Sequence, residues 1–91
     1  MSTALPKFHA TGELLRAARL KRDYSQAGLA DKLKDIHVQF VSNWERGLCL
    51  PPSERMGDII RILRISRKKV THSMISDFSR GVEMKFKISK K

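Results

Sequence analysis

Cysteine is all but missing from these 91 residues: Cys49 stands alone, so no internal disulfide can form, and the chain suits a reducing cytoplasm. Acidic side chains are scarce, nine Asp and Glu against nineteen Lys and Arg, which leaves a net charge of +10. Such an excess favours a polyanionic partner, most often nucleic acid. No apolar run approaches the ~18–20 residues that cross a bilayer, so no membrane association is expected. Residues 1–6 lack a charged region followed by an apolar one, so no signal peptide is expected either. There is no Gly-rich phosphate loop, no Ser-His-Asp set and no pair of carboxylates in an apolar setting, which argues against an enzyme and against a cofactor. His9, His37 and His72 have no metal-ligand spacing to one another or to Cys49, so no metal site is expected. The length excludes a large enzyme with a deep cleft. It fits one domain that buries roughly 60–65% of its unfolded surface.

What is present reads as a series of short helices. Residues 1–11 form a lead with Pro6 and a single charge, Lys7, expected to be a loose arm. Residues 12–22 place Leu14, Leu15, Ala18 and Leu20 on one broad face. Ser25 can cap a helix over residues 26–34, with Leu29, Ala30 and Leu33 apolar and Gly28 as an interior flaw. Lys34-Asp35-Ile36 breaks the pattern. A third helix follows over residues 38–46, with His37 at its cap, Ile36 and Val41 spaced as a hydrophobic staple, and Gly47 as its stop. Pro51 and Pro52 force a loop. Ser53 is expected to cap a fourth helix to about residue 63, with Met56, Ile59, Ile60 and Leu63 as its stripe. Ser66 opens a fifth, in which Val70, Met74, Ile75 and Phe78 recur at helical spacing.

The end of the chain fits two patterns. Val82, Met84, Phe86 and Ile88 alternate with polar residues as in a strand, while Met74, Phe78, Val82 and Phe86 are four apart as in a helix. The helix is slightly favoured. Either way the apolar row needs cover, from its own domain or from a second copy of the chain.

Residues 25–47, SQAGLADKLKDIHVQFVSNWERG, carry the most information. On the third helix, Val41 and Trp44 can face the core with Leu29 and Leu33. Val38, Gln39, Ser42, Asn43 and Arg46 then share the opposite face. That face is small and amide-rich, unlike the Glu and Lys of a surface shaped only for solubility. Amides pair with adenine N6 and N7, Ser donates or accepts, and Val38 can touch a thymine methyl.

The stretch resembles the helix-turn-helix of the lambda-repressor/Cro-like family, also called the XRE family. The matching residues are Ser25-Gln26, Leu29-Ala30, Leu33, Ile36, Val41-Ser42 and Asn43-Trp44-Glu45-Arg46-Gly47, and the likeness covers roughly residues 12–65. It implies an all-α, five-helix DNA-binding domain whose third helix lies in the major groove of double-stranded DNA, usually as a homodimer on a near-palindromic operator. By the same likeness, Val38, Gln39, Ser42 and Asn43 meet base edges. Phosphate contacts fall to Gln26, His37, Arg46 and Lys34. Arg19 and Glu45 form a structural ion pair. Two departures stand out: the break at Lys34-Asp35-Ile36 is one residue longer than the commonest form and lacks its glycine, and Leu48-Cys49-Leu50 replaces a loop that is often polar or basic.

Charge completes the expectation. Residues 25–47 are neutral overall, whereas residues 67–91 carry eight Lys and Arg against two acids. The chain therefore divides into an arm at 1–11, a helix-turn-helix domain at 12–79 and a basic tail at 80–91, helix or short strand, available for dimerisation. The function expected is a cytoplasmic, sequence-specific transcriptional regulator. The alternative is an antitoxin that holds a protein toxin through the C-terminal apolar row and autoregulates through its helix-turn-helix.

Overall fold

The computed structural model describes the backbone of residues 5–89 and the side chains of residues 5–82. Five helices follow in order: α1 (His9–Lys21), α2 (Gln26–Leu33), α3 (Val38–Glu45), α4 (Ser53–Leu63) and α5 (Arg67–Ser89). No strand occurs among the described residues.

Local chemistry fixes the two central helices. Ser25 adopts an extended backbone, and its Oγ accepts from the Gly28 amide at 2.9 Å, which satisfies a first-turn donor of α2. His37 does the same for α3 through Nδ1, which accepts from the Gln39 amide at 3.0 Å. At the far end of α3, Gly47 takes φ 77°. Its amide donates to the Trp44 carbonyl, and the Leu48 amide donates to that of Asn43, the paired closure of a glycine-terminated helix. The Ser66 Oγ opens α5 by accepting from the Lys69 amide.

Elsewhere the structure departs from the sequence reading. The residue flanking α4 is Pro52, Ser53 is already helical, and no side chain caps that helix. A proline with extended ψ presets the entry without a hydroxyl. Helix α1 starts at His9, three residues before Gly12, so part of the expected arm is helical. The cause is distant in sequence: Asp77 of α5 accepts from the Ala10 amide at 2.8 Å, the Thr11 amide at 3.0 Å and the Thr11 hydroxyl at 2.8 Å. Arg80 Nη2 donates to the Pro6 carbonyl and holds the preceding segment as well. The Phe8 amide donates to Gly47 O, which ties the start of α1 to the end of α3.

The core gathers Leu15, Leu29, Ala30, Leu33, Val41, Trp44, Ile59, Leu63, Ile65 and Val70, with Met56, Ile60 and Met74 against its edge. Leu20 points to solvent, as do Ile75 and Phe78, 56% and 72% exposed. The inward face of α5 instead runs through Val70, Ser73 and Asp77, all buried. The fifth helix is continuous through residues 82–88, so the helical alternative holds there. Val82 is half-buried, and the side chains of Met84, Phe86 and Ile88 lie outside the described residues.

Candidate nucleic-acid interface

Helix α3 divides as its spacing demands. Val41 is 0% and Trp44 3% exposed, and Glu45 is buried beside them. Gln39 and Arg46 are exposed on the other side, with Ser42, Asn43 and Val38 half-buried between. Gln39 Nε2 donates to Asn43 Oδ1 at 3.1 Å, one turn along. This bond leaves Gln39 with one free N–H and its carbonyl oxygen, and Asn43 with both amide hydrogens, so each side chain is steadied yet keeps groups for another partner. Phe40, 52% exposed, flanks this face and was not singled out by the sequence pattern.

Three helices are locked together behind it. The Arg19 guanidinium of α1 meets the Glu45 carboxylate at two points, Nε to Oε2 and Nη2 to Oε1, the latter at 3.0 Å. Arg19 Nη1 also donates to the Tyr24 carbonyl, at 2.8 Å. Gln26, the first residue of α2, donates to Glu45 Oε1 at 3.0 Å. One buried carboxylate therefore accepts from both other helices, which sets the angle of α3 against α2. Gln26 and His37, both expected near phosphates, stand at the N-terminal ends of α2 and α3. Because His37 Nδ1 accepts from the helix, its Nε2 is the nitrogen that carries hydrogen.

The close approach of α1 to α3 depends on Gly12. A Cβ there would lie 2.6 Å from Glu45 O and 2.7 Å from Trp44 O, backbone atoms that cannot step aside.

Residues 15–70, more than half of the chain, match the helix-turn-helix family of the lambda-repressor type. The chain belongs to that family. No curated protein and no solved structure matches it. As a helix-turn-helix protein it is a DNA-binding regulator. The helix-turn-helix itself is α2 and α3 with the turn between them, and the match reaches from the middle of α1 into the first turn of α5. No described helix is long and apolar enough to cross a membrane.

The turn of this helix-turn-helix is unusual in its backbone. Lys34 and Asp35 both take positive φ, 59° and 53°. In place of a glycine, Arg55 of α4 closes the end of α2, with Nη1 donating to Leu33 O at 2.6 Å and to Lys34 O at 3.2 Å. Nothing in the local pattern around Arg55 announced this role. Lys34 itself is exposed. It lines a cleft with Arg22, Lys32, Arg61 and Arg64 to which α3 contributes no residue.

Proposed function

We propose that the chain is a sequence-specific transcriptional regulator that lays α3 in the major groove of double-stranded DNA as a homodimer on a near-palindromic operator. The observation that carries this reading is the division of α3. Val41, Trp44 and Glu45 are sunk in the core, while Gln39, Ser42, Asn43 and Arg46 face outward together. Val38, Gln39, Ser42 and Asn43 read base edges, and Gln26, His37 and Arg46 hold phosphates on either side. Lys34, exposed at the C-terminal end of α2, belongs to the phosphate set as well. Such a protein works on cellular DNA in the cytoplasm, at the nucleoid.

Dimerisation is assigned to the outer face of α5, where Ile75 and Phe78 leave large apolar side chains in water. The same face supports the second reading, an antitoxin seated on a protein toxin. Selection of bound sites from random duplex DNA tests the principal reading. A recovered motif of two inverted half-sites one helical turn apart is the expected result. Recovery of no motif overturns sequence-specific binding, and a single uninverted half-site overturns the dimer.

A further inference from the structure

We infer that the chain carries a second anion site, a cleft for a compact polyphosphate group, on a face to which α3 contributes no residue. The cleft, about 640 Å³, is walled by the end of α1 and its following loop (Arg22, Tyr24), the second half of α2 with its turn (Lys32, Leu33, Lys34) and the second half of α4 (Asp58, Arg61, Arg64). Five cationic residues line it against one acidic residue. Asp58 is already engaged by Arg61 Nη2 at 3.0 Å, so four cations keep no acidic partner within the cleft.

A second observation points the same way. Arg22 Nε is buried without a hydrogen-bond partner, and it is the one such side-chain nitrogen or oxygen among the described residues. A buried donor on a guanidinium without an acceptor is costly, and Arg22 is among the residues that line the cleft. Placing like charges together in a concave wall also raises the local potential for anions. Several cations gathered at the C-terminal ends of α1, α2 and α4 match a ligand with several closely spaced charges, as a diphosphate or triphosphate has, better than a single carboxylate.

Titration calorimetry of the full chain with inorganic triphosphate, in low salt and without DNA, tests the site. One saturating site per chain is expected. Arg22→Gln alone, and Arg61→Gln with Arg64→Gln at two exposed positions where folding is not at stake, should each weaken binding about tenfold or more. Lys68→Gln with Lys69→Gln, which removes as much charge from α5, should change it less than about twofold. Equal losses in the cleft and α5 variants, or heat that never saturates, would overturn the proposal by showing diffuse attraction. Displacement of the triphosphate by one equivalent of mixed-sequence duplex would overturn it too, by making the cleft a stretch of the DNA-binding surface. Because the measurement contains no DNA, its failure leaves the reading of α3 untouched.

Discussion

At Lys34 the backbone takes φ 59° and ψ 141°, a region that suits glycine and strains any residue with a Cβ. Lys34→Gly should therefore stabilise the fold by about 1 kcal/mol, after allowing for the greater freedom of glycine in the unfolded chain. A urea midpoint that rises without a change in slope checks this. Gly12 presents the opposite case. Gly12→Ala drives a methyl into two backbone carbonyls of α3 and should cost about 1–3 kcal/mol, read from the same titration. Lys34 is partly legible from sequence, because its break lacks the glycine of the commonest form, and Gly12 is not. Gly12 looked like an ordinary early helix residue, because its constraint comes from a helix more than thirty positions away. The outward amides of α3 were legible, because alternation of apolar and polar residues over two turns is a local signal. For these, Gln39→Ala and Asn43→Ala should each cost about 1–3 kcal/mol at one base pair and relax selectivity there. Unchanged operator preference in both variants, measured by competition between point-mutant duplexes, would remove α3 from base reading.

Elements that carry their own punctuation are legible in the sequence. Ser25, His37 and Gly47 are caps within three residues of the groups they satisfy, and α2 and α3 follow. Helix α1 is different, because its first turn is completed by a carboxylate 66 to 67 positions away. The apolar pattern of α5 misled for a related reason. Met74 and Phe78 suggest one face, yet the buried line runs through Val70, Ser73 and Asp77, since what α1 needs from α5 is an acceptor as well as a surface. The signal available was the register of Asp77 itself, seven residues beyond a core valine. Asp77→Ala removes the acceptor for two amides and a hydroxyl, and should destabilise the fold by about 2–3 kcal/mol. Amide hydrogen exchange should show the loss first at Ala10 and Thr11. If those two amides keep their protection while global stability falls, the carboxylate acts through packing and not as a cap.

Across the whole molecule, charge and recognition are divided between different regions. Residues 25–47 are neutral while residues 67–91 hold a net +6, so the helix proposed to face the bases contributes little to general attraction for DNA. Attraction to phosphate is long-ranged and indifferent to sequence, whereas base contacts act only at contact distance. The two properties should then be separable by mutation. Replacing Lys68, Lys69, Lys85 and Lys87 with Gln should lower affinity for operator and mixed-sequence duplex by the same factor, leaving their ratio unchanged. Wild-type affinity should fall ~10³–10⁵-fold between 50 and 200 mM salt if a dimer neutralises about 6–10 phosphates, and the lysine variant should show a shallower slope. Loss at the operator alone would mean that the basic end of α5 takes part in recognition. A salt response as steep as wild type would mean that those lysines never reach the phosphates.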